Sequence, residues 1–149
     1  MKFSLCMIVK NEEAVLNRCL ESMASAMDEI IIVDTGSTDA TKKIAAAYTD
    51  QIYDFAWTGN FAEARNYAAS KATGDYIYTA DADEYLEPEE LQKLLQLKKV
   101  LLPEVEIVQM LYCTPPELST VYNFAEEYRP KLYKSCLLYT SDAADDTPC

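Results

Sequence analysis

Apolar runs of strand length alternate along this chain with stretches whose apolar positions recur at helical spacing. Phe3–Val9 is nearly continuous in apolar residues, as expected of a strand covered on both faces. Asn11 is placed to cap a following helix, with Glu12 and Glu13 in its first turn, where carboxylates suit the positive end of the helix dipole. Val15, Leu16, Cys19, Leu20 and Met23 give that helix one apolar face. Residues 29–33, dense in Ile and Val, predict a second strand ending at Asp34-Thr35-Gly36-Ser37. Gly36 permits a tight turn there, and Ser37 or Thr38 starts a helix carrying Ile44, Ala45 and Tyr48. Residues 51–55 read as a third short strand.

Asn60-Phe61-Ala62-Glu63 has capping-box spacing, with Asn in place of Ser or Thr, and opens a helix to about Ala72 that Gly74 ends. Residues 75–80 predict a fourth strand delivering Asp81-Ala82-Asp83-Glu84. Pro88 suits the first turn of the next helix, which carries Leu91, Leu94, Leu95 and Leu97. After Pro103 the pattern changes. Residues 104–113 and 121–124 read as strands separated by a Pro115-Pro116 turn, and 129–133 as a further short one. The repeated strand–helix units predict an α/β fold, a mostly parallel sheet flanked by helices on both faces. In such sheets ligands sit beyond the carboxyl ends of the strands. Three polar clusters fall at those ends: residues 10–13, 34–37 and 81–84.

The chain has 149 residues, 50% hydrophobic and 26% charged. That suffices for one core, since a single domain occupies roughly 100–200 residues, and it excludes wholesale disorder. No apolar run approaches the ~20 residues that span a bilayer. The N-terminal apolar segment is too short, and too soon followed by Lys10-Asn11-Glu12-Glu13, for a signal peptide. A cytoplasmic protein without a transmembrane segment is the expectation. With 25 acidic and 13 basic side chains the net charge is −12, which weighs against nucleic acid as a partner. The five cysteines show no Cys-x-x-Cys spacing, and Cys6 and Cys19 fall where reduced buried thiols are ordinary. No histidine is present, so these residues offer no His-based triad, His-rich zinc site or His general base.

Residues 136–149 differ from the rest. They fit no amphipathic period, and their three Asp have no basic neighbour. Residues 136–146 resemble a translated sequencing adapter read in frame into a gene fragment; a natural acidic tail is the alternative. The expectation is a domain over residues 1–135, its C-terminal part incomplete, followed by a non-native tail over 136–149. Removing the three tail Asp takes the net charge from −12 to −9, so the acidic character stands.

The three clusters carry candidate chemistry. Asp81 and Asp83, one residue apart at a strand end, would point both carboxylates to one side in extended geometry. Two hard oxygen donors suit Mg²⁺ or Mn²⁺, which keep several waters and accept phosphate oxygens. Such an ion offsets negative charge on a departing diphosphate and lets a strongly acidic protein bind an anionic nucleotide. A solvated acidic turn is the plainer alternative for one Asp-x-Asp. Asp34, exposed before a Gly-Ser turn, can accept N–H donors from a base such as uracil, or it can serve the turn or cap a helix. Arg65 can reach a phosphate as a bidentate donor or join a surface ion pair. Glu12 can contact a ribose or complement the helix dipole. Trp57 and Phe61 flank Gly59-Asn60 and are expected in the core or anchoring the loop. The first strand is followed by Lys-Asn-Glu-Glu, not by a Walker loop or Gly-x-Gly-x-x-Gly, which removes most of the case for a kinase, a P-loop protein or a dinucleotide oxidoreductase.

Four stretches resemble one family. They are Ser-Leu-Cys-Met-Ile-Val-Lys-Asn-Glu-Glu (4–13), Glu-Ile-Ile-Ile-Val-Asp-Thr-Gly-Ser-Thr-Asp (29–39), Phe-Ala-Glu-Ala-Arg-Asn (61–66) and Gly-Asp-Tyr-Ile-Tyr-Thr-Ala-Asp-Ala-Asp-Glu (74–84). In this order and at these intervals they resemble the family 2 glycosyltransferases, over essentially residues 2–135. The fold this implies is GT-A, Rossmann-like. Thr35, where many members carry a second Asp, is similar to the branch often attached to tetratricopeptide repeats. The resemblance implies a nucleotide-sugar donor, usually a UDP-sugar, and inversion at the anomeric carbon. It implies that Asp34 binds the base, that Arg65 and Glu12 contact the nucleotide, and that Asp81 with Asp83 holds Mn²⁺ or Mg²⁺ and the diphosphate. The acceptor (glycan, lipid carrier, protein or peptide) is not indicated.

An inverting enzyme also needs a carboxylate base. In this branch a His-Glu pair is expected soon after a segment resembling residues 127–133, where the adapter-like tail begins instead. The expectation is a donor half without its acceptor half, and no transfer by this chain. Glu84 reads as a neighbour of the metal site rather than the base. Two rivals remain open. A nucleotidyltransferase of similar architecture would show a Gly-rich, basic loop early in the chain, and none is visible. A folded, non-catalytic fragment would bind nucleotide weakly or not at all, whereas a working donor site binds UDP more tightly with Mn²⁺.

Overall fold

The computed structural model describes residues 1–113 and 126–135. Its strands are β1 (Phe3–Val9), β2 (Glu29–Asp34), β3 (Ile52–Asp54), β4 (Tyr76–Thr79), β5 (Ile107–Cys113) and β6 (Glu126–Lys134). Its helices are α1 (Leu16–Met23), α2 (Thr41–Ala46), α3 (Phe61–Lys71) and α4 (Pro88–Val100), with a single 3₁₀ turn at Ala24–Ala26. The expected strand at 121–124, the Pro115-Pro116 turn and the tail at 136–149 lie outside the described residues. Among the described residues no helix is long and apolar enough to cross a membrane.

The six strands form one sheet in the order β3-β2-β1-β4-β6-β5. The first four are parallel to one another, while β6 runs antiparallel to β4 and β5 antiparallel to β6. The architecture is the expected α/β one, mostly parallel, with an antiparallel pair along one edge. β1 sits centrally, and its alternation sorts its side chains onto two faces. Phe3, Leu5, Met7 and Val9 pack with Leu16, Cys19, Leu20 and Met23 of α1, Ala45 of α2 and Leu94 of α4. Cys6, from the opposite face, joins Ile31, Val33 and Ile77 under Ala68 and Ala69 of α3. Cys6 and Cys19 are free, buried thiols.

Several boundaries differ from expectation for identifiable reasons. α1 begins at Leu16, not after Asn11. Asn11 has a left-handed backbone (φ 52°), and its side chain accepts the Thr38 N–H at 2.8 Å instead of capping. Glu12 and Glu13 therefore precede the helix, and the Glu12 carbonyl accepts the Val15 and Leu16 N–H groups. α2 begins at Thr41, not at Ser37 or Thr38. Ser37 Oγ instead accepts the Asn11 N–H at 2.9 Å, and the Thr38 N–H is taken by Asn11. The capping box of α3 is half formed: Asn60 accepts the Ala62 N–H at 2.9 Å, while the Glu63 carboxylate takes the Thr58 hydroxyl. α3 stops at Lys71 without help from Gly74. Gly74 is needed for another purpose, because a Cβ there would stand 2.6 Å from Ser4 Oγ and 2.9 Å from the Lys2 carbonyl. It lets the entry to β4 run hard against β1.

Candidate functional site

The carboxyl ends of β1, β2 and β4 gather the three polar clusters. Val9, Asp34 and Asp54 lie in register at the ends of β1, β2 and β3. The loops after β1 and β2 are laced together. Asn11 binds Ser37 and Thr38, the Glu12 N–H donates to Thr41 Oγ1 at 2.8 Å, and the Glu13 carboxylate accepts the Ala40 N–H at 3.0 Å. Local sequence does not announce this, since each partner lies nearly 30 residues from the other.

Asp34 was expected to be exposed, but it is only 2% exposed, walled in by the strands on either side of β2. Its Oδ1 accepts the Gly36 N–H at 2.9 Å and the Ser37 N–H at 2.7 Å, and the φ of 122° that this turn asks of Gly36 suits glycine. The turn role is therefore real, whereas no helix is capped. Oδ2 is buried and has no hydrogen-bond partner among the described residues. Burial by itself would raise the Asp34 carboxyl. The Ser37 hydroxyl, the Ser37 and Gly36 amides and the Lys42 charge together outweigh it and hold the group below the usual carboxylate range.

Asp81 and Asp83 do not continue β4 in extended form. Residues 81–84 make a turn closed by the Glu84 N–H on the Asp81 carbonyl at 3.0 Å, so strand alternation does not set the direction of the two side chains. The turn is held from both sides. Arg18 of α1 donates to the Asp83 carbonyl at 3.1 Å, and the Cys19 thiol points at the Asp81 carbonyl at 3.7 Å. Glu84 accepts the Asp81 N–H at 3.2 Å through Oε1 and meets Lys131 Nζ at 2.5 Å through Oε2. Asp81 and Asp83 themselves are exposed. Their charges reach across to Glu12: burial foremost, then Asp83, Asp39 and Asp81 push its carboxyl above its ordinary value.

Two adjoining cavities open beside these ends and share Ile8 and Phe61. One, of about 300 Å³, is bounded by Arg65, Asp81, Glu84 and Lys131; the other, of about 290 Å³, by Lys10, Glu12, Thr35 and Trp57. Arg65 lies on the exposed side of α3 with its guanidinium 4.9 Å over the Phe61 ring. Of the two expectations for Trp57 and Phe61, the core one is corrected. They are 49% and 45% exposed, in edge contact at 6.1 Å, and they wall cavity rather than fill core. Thus Glu12, Arg65 and Asp81 border the cavities, while Asp34 and Asp83 stand outside both linings. Sequence reasoning missed Lys131 and Arg129, which border the first cavity. Their alternation with Tyr133 along a predicted strand was the available signal, since alternate strand residues share a face.

Among the described residues no group of three or more Cys, Asp or Glu side chains forms a ready metal cage. The donor set still suits a hard divalent ion. Two exposed carboxylates on a clamped turn leave most of the coordination shell to water and phosphate oxygens, as Mg²⁺ and Mn²⁺ prefer.

The comparisons agree on family and fold. The family model described as Glycosyl transferase family 2 matches residues 4–142, a span that includes the first seven residues of the segment set apart above. A TPR repeat-containing protein of Synechococcus elongatus is 47% identical over 83 residues, 56% of this chain and 21% of that protein. An uncharacterized glycosyltransferase of Rickettsia typhi is 36% identical over 88 residues, 59% of this chain and 30% of that one. The chain thus matches less than a third of the length of either relative. The crystal structure of S. aureus TarS 1–349 superimposes on 95% of this chain and 49% of that one, with a TM-score of 0.61 at 22% identity. Glucosyl-3-phosphoglycerate synthase from Mycobacterium tuberculosis, solved in complex with Mn²⁺ and UDP-glucose, covers 56% of this chain and 34% of its own at a TM-score of 0.50 and 24% identity. These structural likenesses show the GT-A fold.

Proposed function

Because the chain belongs to glycosyl transferase family 2, we propose that it binds a nucleotide-sugar, a UDP-sugar by preference, at the carboxyl ends of β1, β2 and β4. The sugar would leave for an acceptor hydroxyl with inversion at the anomeric carbon. The observation that carries this reading is Asp34 Oδ2. A buried carboxylate oxygen without a donor is costly in water-free surroundings, and the imide N–H of uracil supplies the missing donor. The other atom, Oδ1, is already held by two amides, which leaves Oδ2 as the atom that would take the base.

The remaining assignments follow the cavities. Glu12 would meet the ribose, and Arg65 a phosphate oxygen by its two-pronged guanidinium. Asp81 and Asp83 would hold Mn²⁺ or Mg²⁺ and through it the diphosphate. When bound, the ion supplies positive charge that stabilises the departing diphosphate. That the synthase of like fold was solved with Mn²⁺ and UDP-glucose supports a divalent ion beside a nucleotide-sugar; the residue roles rest on the resemblance and the cavities. Residues 1–135 would form the donor-binding part. Glu84 is engaged by Lys131 and is not assigned as the base.

The test is thermal. UDP at about a hundred times its Kd should stabilise the fold by about 2.7 kcal/mol, and only with Mn²⁺ or Mg²⁺ present. Asp83→Ala should abolish the effect. Equal stabilisation of Asp83→Ala and the parent chain would remove Asp83 from the metal site.

A further inference from the structure

The ion pair between Glu84 and Lys131 is the most deeply placed one among the described residues. Lys131 is 8% exposed, and the Glu84 side chain 10%. Taking two charges out of water is expensive, and a well-packed apolar pair of similar volume is often as stable or more so. Stability alone is therefore a poor account of this pair. Its geometry suggests another. Both Glu84 oxygens have partners, Oε2 with Lys131 Nζ at 2.5 Å and Oε1 with the Asp81 N–H at 3.2 Å. The Glu84 N–H closes the same turn on the Asp81 carbonyl. Lys131 projects from β6, whose neighbour in the sheet is β4, the strand that delivers the turn, and its Nζ lies 5.7 Å from the Tyr78 ring of β4. Three acids stand within four residues at 81–84, with the charge of Glu12 close by. Lys131 supplies positive charge against that acidic turn from β6, as Arg18 does from α1.

We propose that Lys131 and Glu84 are positioning residues: the pair ties β6 to the 81–84 turn and holds the Asp81 and Asp83 carboxylates ready for a divalent cation. This rests on the metal reading given above. Partners of this kind orient ligating groups, and their loss typically weakens metal affinity about ten- to a hundredfold.

Mn²⁺ is titrated against the UDP-loaded chain, with free Mn²⁺ followed by electron paramagnetic resonance. Uridine, which lacks phosphates, is titrated separately by ligand-observed NMR to report the base pocket alone. In Lys131→Met and in Glu84→Gln, Mn²⁺ affinity should fall about ten- to a hundredfold while uridine affinity stays within about twofold. Lys131→Arg should recover most of the loss, because it restores the charge. The double variant Glu84→Met, Lys131→Met leaves no orphan charge and guards against simple unfolding; its melting temperature should stay near that of the parent, yet Mn²⁺ should still bind weakly. Unchanged Mn²⁺ affinity in the variants would overturn the proposal, as would a parallel loss of uridine binding. Absence of Mn²⁺ binding by the parent chain would instead overturn the metal reading, and the proposal with it.

Discussion

At the scale of single residues, Asp34 serves structure through one carboxylate atom and, in the proposed function, would serve a ligand through the other. Oδ1 organises the turn after β2, and Oδ2 has no hydrogen-bond partner among the described residues. Two substitutions separate the roles. Asp34→Asn keeps an oxygen for the Gly36 and Ser37 amides but turns the other atom into a donor facing the uracil N–H. A hydrogen bond to a charged group is worth about 1.5–3 kcal/mol, so UDP affinity in the presence of Mn²⁺ should fall about ten- to a hundredfold by titration calorimetry, while the melting temperature falls less than in Asp34→Ala, since only the stabilising charge is lost. Asp34→Ala removes both atoms and should lower the melting temperature as well. If Asn binds UDP as Asp does, the base contact is wrong. The position of Asp34 was legible from the apolar run before it and the Gly-Ser turn after it. Its burial was not, because the walls come from β1 and β3, paired across the sheet.

At the scale of elements, what was legible followed from periodicity. The β1 run, the α1 stripe at Leu16, Cys19, Leu20 and Met23, and the start of α4 at Pro88 all stand where the pattern placed them. What escaped was the local Glu84–Asp81 bond that closes residues 81–84 into a turn, and the competition between distant loops for the same donors, which moved the starts of α1 and α2. Lys131 escaped for the same reason, since its partner is 47 residues away. Gly74 gives the sharpest test at this scale. Besides crowding Ser4 Oγ and the Lys2 carbonyl, a Cβ there would disturb the Gly74 N–H bond to Ser4 Oγ at 2.9 Å. Backbone atoms yield poorly, so Gly74→Ala should destabilise by about 1–3 kcal/mol, the usual range for overpacking, read as a lower urea midpoint. Stability equal to the parent's would show that β1 and β4 can part without cost.

At the scale of the whole molecule, a net charge of −12 makes pH the most informative variable. Three carboxylates tie the strand ends together. Burial would raise Asp28, but the Lys98 and Phe3 hydrogen bonds and the Lys98 charge outweigh it, and the group lies below its ordinary value. Glu29 is lowered likewise: its burial is outweighed by hydrogen bonds from Thr73, Gln51 and Ser4, which join β1, the approach to β3 and the approach to β4. Asp34 makes the third. A carboxyl lowered in the folded state contributes stability above its unfolded pKa and loses it as pH falls through the folded one. The urea midpoint should therefore drop steeply below about pH 4. Glu12 works in the opposite sense. Its folded pKa is raised, so its contribution is present at low pH and is lost as pH rises through that raised value. Part of the rise comes from the charges of Asp83, Asp39 and Asp81. Stability should therefore ease downward as pH rises above the ordinary carboxylate range, an effect that Asp83→Ala reduces. A decline identical in the parent and in Asp83→Ala would mean that the acidic turn does not act on Glu12, and the convergence of those carboxylates on one donor site would lose its electrostatic support.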